Sequence, residues 1–413
     1  MNAIIEGALT LAGPGFSPVE DSFLQIEGPK IKTLSDVNLP AFSGTRYDGN
    51  GLIAMPGMIN AHVHLGDSVV KDIGVGKTMG ELVHPITGLK SRILKEVPQK
   101  TLVEGMRESL QEMLANGITT IADFRETSLE GLRLLKKAAE GLANRLIALG
   151  RPNYYSPPLD INTGVGLPTQ IINETERVLQ EGNGLGVSGP NEFTDQALVD
   201  LSSLASKARK LVAVHVGEAR SSAEFSIRTF GSSEVSRALT YLRPHLLVHL
   251  VHTTRRDIEK ISSSGTSVVC CPRANAILGH GFPPITDLVR LGINVGLGTD
   301  NVMLNSCDMF REMDFASKMS RANHRDPNAI KSADVLRMAT LGGAKALELE
   351  REIGSLEEGK IADIVFLNSR SSNLKFSKDI ISSIVHRARP DDIVAVMVKG
   401  ELVHGSLPRC NNK

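Results

Sequence analysis

The sequence predicts an α/β fold, in which a (β/α)8 barrel of the TIM type carries a small β-sandwich module formed from both chain ends. The middle of the chain alternates apolar, strand-like runs with amphipathic, helix-like segments, which is typical of parallel strands covered by helices. Both ends instead carry short strand-like runs separated by glycine-rich turns. With 413 residues, the chain is long enough for a barrel and a second module.

The predicted barrel strands are nearly continuous in apolar residues, as expected for strands with helices on their outer side. Eight runs fit this pattern: GMINAHVHL (57–65), GITTIADF (117–124), RLIALGRP (145–152), GLGVSG (184–189), LVAVHVGE (211–218), HLLVHLVH (245–252), TSVVCCP (266–272) and INVGLGTD (293–300). The clearest predicted helices between them are residues 101–117, 128–142 and 194–210. Residues 66–100 show no clear strand, so we interpret them as an insertion that covers the mouth of the barrel.

The chain ends differ from the middle in their pattern of apolar residues, which predicts short strands without helices between them. Four runs predict short strands there: residues 3–12, 23–28, 361–367 and 393–404. Because these strands frame the barrel from both sides, we predict a composite β-sandwich domain made of residues 1–56 and 352–413. The barrel domain then comprises residues 57–351.

Composition narrows the class of partner. Lys plus Arg and Asp plus Glu both number 46, so the net charge of zero gives no reason to expect nucleic acid or an anionic membrane. Aromatic residues make up 4% of the chain and tryptophan is absent, which leaves few stacking platforms for bases. We see no signal peptide, no membrane span and no Cys-x-x-Cys pair among the four cysteines. We therefore expect a cytoplasmic protein whose partner is a small molecule.

Histidine and carboxylate side chains stand at the ends of four predicted strands. His62 and His64 lie two residues apart on the first strand and therefore point to the same face. His215, His252 and Asp300 end the fifth, sixth and eighth strands. Since barrel enzymes carry their catalytic groups at the carboxyl ends of the strands, we expect these side chains to converge. Three imidazoles and one carboxylate form a suitable ligand set for zinc or ferrous iron.

Each of these residues taken alone also has a structural interpretation. The pair His62 and His64 is compatible with an exposed strand, and His215 with a hydrogen-bonded strand end. Asp300 is compatible with a helix N-cap. His249 lies inside its apolar run, and we interpret it as a core histidine with a backbone partner.

Motifs along nearly the whole chain resemble the amidohydrolase superfamily. Within it, the chain is similar to the mononuclear deaminase and chlorohydrolase branch, which includes guanine, cytosine and S-adenosylhomocysteine deaminases, triazine hydrolases and archaeal chlorohydrolase-like sequences. The resemblance rests on MPGMINAHVHLGDS (55–68), HVGE (215–218), VHLVHTT (248–254), CPRANAILGHGFPP (271–284), GLGTDNVMLNSCDMFREM (296–313) and GSLEEGKIADIVFLN (354–368).

The resemblance implies one divalent metal ion per chain, with zinc the first choice and iron the alternative. The ligands that it implies are His62, His64, His215 and Asp300. Two-metal branches of the superfamily use a carboxylated lysine on strand four. Residues 184–193 (GLGVSGPNEF) contain no lysine, so the resemblance favours a mononuclear site.

The resemblance also implies a hydrolytic mechanism. Metal-activated water would attack a carbon that carries an amino group, as in a purine, pyrimidine, pterin or triazine. Glu218 takes the place of the proton shuttle, and Asp300 can accept a proton from the water. His252 takes the place of the strand-six histidine that stabilises charge at the attacked centre. The resulting hypothesis is deamination of an aminated heterocycle.

Substrate contacts and alternative functions stay open at the level of sequence. Arg273 and Asn275 follow strand seven and are candidate substrate-binding residues, as are Arg151 after strand three and His280 in the loop after strand seven. The same groups could hydrolyse a cyclic amide or a ring C–Cl bond. A non-catalytic scaffold is the alternative from another class, but every expected ligand position is filled. Homo-oligomers are common in the family that the chain resembles, and the residues themselves show no interface.

Overall fold

The computed structural model describes residues 2–37, 42–84, 87–155 and 164–410. The strands in this part of the chain are β1 (Asn2–Ala12), β2 (Ser17–Glu27), β3 (Lys30–Ser35), β4 (Thr45–Asp48), β5 (Leu52–Pro56), β6 (Met58–His64), β7 (Ile118–Arg125), β8 (Arg145–Gly150), β9 (Gly184–Val187), β10 (Leu211–Val216), β11 (Leu246–His249), β12 (Ser267–Cys270), β13 (Val295–Leu297), β14 (Asp300–Asn301), β15 (Ile364–Asn368), β16 (Ile393–Val398) and β17 (Glu401–Gly405).

The α-helices lie mostly between the strands of the central region. They are α1 (Met79–Val83), α2 (Leu89–Glu96), α3 (Gln99–Ala115), α4 (Ser128–Ala139), α5 (Thr169–Glu181), α6 (Asp195–Ala208), α7 (Arg220–Phe230), α8 (Glu234–Arg237), α9 (Arg255–Ser264), α10 (Pro272–Ile277), α11 (Ile285–Arg290), α12 (Met309–His324), α13 (Ser332–Met338), α14 (Leu341–Ala346) and α15 (Ile380–Arg387). None of the helices in the described residues is long and apolar enough to cross a membrane.

The central sheet is parallel throughout and curls back on itself. Its strand order is β13-β12-β11-β10-β9-β8-β7-β6-β14. Only two residues separate β13 from β14, and β14 pairs with β6 through Asp300 opposite Val63 and Asn301 opposite His64. The chain therefore links the two ends of the curled sheet. The predicted α/β class with a curled parallel sheet is confirmed, and a barrel of eight strand–helix units stays a prediction. All carboxyl ends of its strands open at one mouth.

Strands from both chain ends build a second sheet, as predicted. It has eight strands in the order β17-β16-β15-β5-β1-β2-β3, with β4 paired to β1. These strands lie in one sheet, so the predicted β sandwich is not confirmed. Gly57 joins the two sheets, and a Cβ atom there would lie 2.3 Å from Thr119 Oγ1, which leaves room for glycine alone. The predicted boundary after residue 56 stays a prediction at this junction.

Helix α3 shows how the helices are fixed on the sheet. Its buried residues Leu102, Met106, Leu110 and Met113 recur every three or four positions and form one apolar face. Charged residues of α3 such as Lys100, Glu104 and Glu108 are exposed on its other side. This packing holds the strands rigidly, and a rigid scaffold positions the side chains at their ends.

Residues 66–100 form an insertion between β6 and α3, and their described part contains α1 and α2 but no strand. Residues 85–86 lie outside the described residues. Met79, Val83 and Leu94 of the insertion line the cleft at the barrel mouth. The insertion therefore forms one wall of that cleft.

Candidate active site

Four imidazoles and two carboxyl groups, His62, His64, His215, His249, Glu218 and Asp300, meet at the mouth of the central sheet. We call them the histidine cluster. Asp300 Oδ1 lies 3.3 Å from His62 Nε2 and 3.6 Å from His64 Nε2. The His62 ring centroid lies 4.9 Å from that of His215 and 5.7 Å from that of His249. In three subsets, the ligand atoms all lie within 4.8 Å of one another: His62 with His215 and His249, His62 with His64 and Asp300, and Glu218 with His249 and Asp300.

The local backbone conformation directs these side chains toward one another. His62 and His64 point to the same face of β6 because side chains alternate along a strand. Asp300 has φ 61° and His249 has φ 79°, values that residues other than glycine rarely adopt. Such backbone strain persists only where the surroundings enforce it, and it is concentrated at functional sites.

Hydrogen bonds behind two of the rings define their tautomers. His64 Nδ1 donates to the backbone oxygen of Phe124 at 3.0 Å, and His215 Nδ1 donates to that of Val187 at 3.0 Å. Each ring therefore carries its proton on Nδ1 and presents the Nε2 lone pair to the cluster. A lone pair held this way is typical of a metal-ligating histidine.

His249 is held differently. The side-chain amide of Asn275 donates to His249 Nδ1 at 3.0 Å, so the neutral ring carries its proton on Nε2. That nitrogen lies 3.5 Å from Glu218 Oε2. His249 therefore presents a hydrogen-bond donor to the cleft, whereas His64 and His215 present acceptors.

Burial keeps three of these imidazoles, His62, His215 and His249, neutral by lowering their pKa values. It lowers the pKa of His62 to about 3 and that of His249 to about 4. It also holds the pKa of His215 well below its usual range, with a further contribution from the neighbouring imidazoles. Burial alone would raise the pKa of Asp300, but the hydrogen bond from His62 and the nearby imidazoles hold it well below its ordinary value. Neutral imidazoles and an ionised carboxylate are the protonation states that bind metal ions.

Two buried atoms of the cluster favour a cation between these groups. Among the described residues, His62 Nδ1 and Asp300 Oδ2 have no hydrogen-bond partner. Buried polar atoms without partners are costly, so they point to a missing ligand. The nitrogen and oxygen donors fit a divalent ion such as zinc or ferrous iron.

Glu218 follows β10 and faces the same space. Its Oε2 lies near His249, and its Oε1 lies 3.8 Å from His280 Nδ1. Burial, with a further contribution from the negative charge of Asp300, raises the pKa of Glu218 to about 8. The group can therefore both hold and release a proton near neutral pH.

A cleft of about 950 Å³ opens above the histidine cluster. Phe124, Tyr154 and Phe225 contribute aromatic surface to its walls, and Arg151 and Glu192 contribute polar groups. The cleft has the size and the mixed character of a small-molecule site.

The structure separates the predicted substrate contacts. Arg151 lines the cleft, where Glu192 Oε2 lies 3.6 Å from its Nη1. Asn275 is buried behind His249, and His280 lies beside Glu218. Arg273 is not among the cleft-lining residues.

Arg273 is held outside the cleft because it pairs with a buried carboxyl group. Its backbone N–H donates to Glu312 Oε1 at 3.0 Å, and its Nη1 lies 3.4 Å from Glu312 Oε2. The same Nη1 donates to the backbone oxygen of Ser306 at 3.2 Å. These contacts fix the loop after β12 to α12 and correct the predicted substrate contact to a structural one.

His252 also lies away from the histidine cluster. It lines a separate cavity of about 320 Å³ together with Gly217 and Glu234. Strand β11 ends at His249, three residues earlier than the predicted end, and His249 occupies the place expected for His252. In the motif VHLVHTT (248–254) either His249 or His252 could occupy the active-site position, and the prediction of His252 was the wrong one of the two.

Comparisons with known proteins agree with this fold and site. The model of the amidohydrolase family matches residues 53–403. A Methanothermobacter thermautotrophicus protein named as an aminohydrolase is 37% identical over 97% of this chain and 98% of its own length. The 5-methylthioadenosine/S-adenosylhomocysteine deaminase of Thermoanaerobacter pseudethanolicus is 29% identical over 98% of this chain and 94% of its own length.

A solved structure shows the same fold. The zinc-bound adenosine deaminase from Xanthomonas campestris matches with a TM-score of 0.85 and 21% identity, and the match covers 100% of this chain and 95% of that one. The family match spans the strands of the histidine cluster and, in the terminal sheet, β15, β16 and most of β5 and β17. The chain therefore belongs to the amidohydrolase family and is a hydrolase of carbon–nitrogen bonds.

Proposed function

We propose that this hydrolase uses one divalent metal ion, zinc before iron, to remove an amino group from a heterocycle such as a purine, pyrimidine, pterin or triazine. The observation that carries the proposal is the convergence of lone-pair imidazoles, an ionised Asp300 and a protonated Glu218 at one point of a small-molecule cleft. His62, His64, His215 and Asp300 would hold the ion. A divalent ion bound there supplies Lewis-acid chemistry, since it lowers the pKa of water toward about 7.

Glu218 moves the protons in this proposal. In its protonated form it donates a proton to the ring nitrogen, and the carboxylate that results accepts a proton from the attacking water and passes it to the leaving amine. The second proton of the water goes to Asp300 and from there back to Glu218, which restores the starting state. A group of this kind works best when its pKa lies near the operating pH, and that of Glu218 is about 8. Its buried position beside His249 keeps it within reach of the same reacting carbon.

His249 takes the role that the sequence analysis gave to His252. Its Nε2–H points into the cleft and can donate to the substrate atom on which negative charge develops. Such a preorganised donor costs no reorganisation during the reaction. Asn275 acts behind it as a positioning residue, because its amide fixes the tautomer of His249.

Deamination is favoured over hydrolysis of a cyclic amide or of a C–Cl bond. An amine leaves only after protonation, and Glu218 is protonated at neutral pH in this structure. The names of the relatives point the same way, because they include aminohydrolase and 5-methylthioadenosine/S-adenosylhomocysteine deaminase. The compounds 5-methylthioadenosine and S-adenosylhomocysteine are therefore the first to screen for ammonia release.

Metal content per chain tests the proposal directly. Elemental analysis of the purified wild-type protein should find about one zinc or iron ion. The His215→Ala and Asp300→Ala variants should lose it, because each removes a ligand. His404→Ala is the control, since His404 is exposed on β17, and it should keep the metal. A wild-type protein without metal after reconstitution would contradict the proposal and favour a non-catalytic scaffold.

A further inference from the structure

A second buried group of side chains lies beside the histidine cluster, and three of its members also line the cleft. It consists of Asp67, Lys90, Asp123, Arg125 and Glu126, and we call it the charged cluster. All but Lys90 come from the ends of β6 and β7 or the residues that follow them, whereas Lys90 comes from α2 of the insertion. Lys90 is 6% exposed, which is unusual for a lysine and requires compensating partners.

Lys90 donates one hydrogen bond, to Asn301, and forms ion pairs with Asp67 and Glu126. Its Nζ lies 2.6 Å from Glu126 Oε1, 2.8 Å from Asn301 Oδ1 and 3.1 Å from Asp67 Oδ2. Burial alone would lower the pKa of Lys90, but the charges of Asp67 and Glu126 raise it above its ordinary value. The ammonium group is therefore held between two carboxylates and one amide oxygen, which makes it a structural link between the groups that carry them.

Two of these contacts lead directly to proposed metal ligands. Glu126 Oε1 lies 2.8 Å from His64 Nδ1. Asn301 donates from its amide to Asp300 Oδ1 at 2.9 Å. One ammonium group therefore holds the supports of two ligands that stand on different strands, β6 and β14.

The third contact fixes the chain after Asp300. Asp67 accepts a hydrogen bond from the backbone N–H of Met303 at 3.1 Å through its other oxygen. Lys90 thus also holds the loop that follows β14 against the insertion. If this link were lost, Asp67 and Glu126 would lose a counter-ion in a buried environment.

We propose that Lys90 is a positioning residue that couples the insertion to the metal site by holding Glu126 and Asn301 against His64 and Asp300. This inference rests on the proposed function, because it concerns the same ligand set. Residues behind the ligands typically contribute about 10- to 100-fold to metal affinity. Removal of Lys90 should therefore weaken zinc binding by about that factor.

Charge alone makes the opposite prediction. Removing a positive charge near a bound cation favours the cation, so a purely electrostatic role of Lys90 would give tighter zinc binding in its absence. The sign of the change therefore separates positioning from simple charge repulsion.

The test is a zinc competition titration against a chelator with metal-free protein, on wild type, Lys90→Met and Asn301→Ala. Asn301→Ala breaks the link to Asp300 without a change in charge, and it decides the question if Lys90→Met does not fold. Lys100→Met is the matched control, because the side chain of Lys100 is 88% exposed at the start of α3. Weaker zinc binding in both variants, with the control unchanged, supports the inference.

Three other outcomes are informative. Unchanged or tighter binding in Lys90→Met overturns the inference. A lower melting temperature of the metal-free variants with unchanged zinc affinity also overturns it, because it shows a merely structural role. A wild-type protein that binds no zinc or iron refutes the proposed function instead, so the two failures can be told apart.

Discussion

The histidine cluster and the charged cluster lie side by side in the protein, and they differ in whether a cationic side chain faces their carboxylates. In the charged cluster, each carboxylate faces a cation: Asp67 faces Lys90, Asp123 faces Arg125, and Glu126 faces both. In the histidine cluster, His62 Nδ1 and Asp300 Oδ2 have no hydrogen-bond partner among the described residues. Three carboxylate oxygens of the charged cluster, Asp67 Oδ2, Asp123 Oδ2 and Glu126 Oε1, also have no hydrogen-bond partner in the described part of the chain, but each lies within 3.4 Å of a nitrogen of Lys90 or Arg125. Asp300 has no such cation beside it among the residues that the structure describes and faces imidazoles instead.

The two clusters avoid the cost of buried charge in different ways. Burying an unpaired charge is strongly unfavourable, so the charged cluster combines opposite charges at short distance. In the histidine cluster, His62, His215 and His249 instead stay neutral because their pKa values are lowered. Its one ionised group, Asp300, is then available to a cation from solution. We infer that a buried carboxylate without a cationic side chain beside it marks the binding site, and that carboxylates paired with Lys90 and Arg125 mark its support.

The largest effect is expected from Glu218→Gln, which changes the histidine cluster without removing a proposed ligand. The amide cannot carry a proton between water and substrate, so turnover should fall by about 10²- to 10⁴-fold. Metal content should stay at the wild-type level. Initial rates of ammonia release and elemental analysis of the same preparation measure both.

Glu259→Gln is the control for this variant, because Glu259 is exposed on α9 and pairs only with Arg255 in the described structure. It should keep full turnover. Near-normal activity of Glu218→Gln on an identified substrate would refute the shuttle role. Loss of metal together with turnover would instead make Glu218 a ligand.

A smaller change in kcat is expected from alanine variants of His249 and His252, and the comparison of the two variants shows which histidine acts on the substrate. His249→Ala removes a donor from the cleft and should lower kcat by about 10²-fold. His252→Ala alters a separate cavity and should leave kcat near the wild-type value. Steady-state kinetics on both variants measure the difference. The reverse result would restore the role that the sequence analysis gave to His252.

Much of the histidine cluster could be predicted from sequence because its positions follow from strand periodicity. His62 and His64 share a face at a spacing of two, and His215 and Asp300 end apolar runs. Each signal is local, so no knowledge of distant contacts was needed. His249 was missed because the chain turns there with φ 79°, and a sequence does not show where a strand ends to within three residues.

The charged cluster could not be predicted for the opposite reason. Lys90 lies in an insertion without regular periodicity, and its partner Asn301 is 211 residues away. The role of Arg273 could not be predicted for the same reason, because its partner Glu312 lies 39 residues further along the chain. A charged residue after a strand has the same appearance in sequence whether it binds substrate or a buried carboxylate. Only the fold decides between these roles.

The smallest effect on the metal site is expected from a change at Glu312, a paired carboxyl group outside the histidine cluster. This change tests whether such a group affects only the stability of the fold. Glu312 is fully buried, and burial raises its pKa to about 7 despite the nearby Arg273. Between about pH 4.5, its ordinary pKa, and about pH 7, the folded protein keeps a proton that the unfolded chain loses. The free energy of unfolding should therefore fall as the pH rises through this window, by about 3 kcal/mol from this group.

Glu312→Gln cannot titrate and should lose this contribution. Urea unfolding of wild type and variant at the two ends of the window measures it, because the difference between them cancels the other titrating groups. Metal content should be equal in both proteins, since Glu312 touches none of the proposed ligands directly. An equal pH dependence in the two proteins would show that Glu312 is ionised throughout the window and that Arg273 outweighs burial. If the variant lost its metal, the contact between Glu312 and Arg273 of α10 would also be needed to hold the metal site.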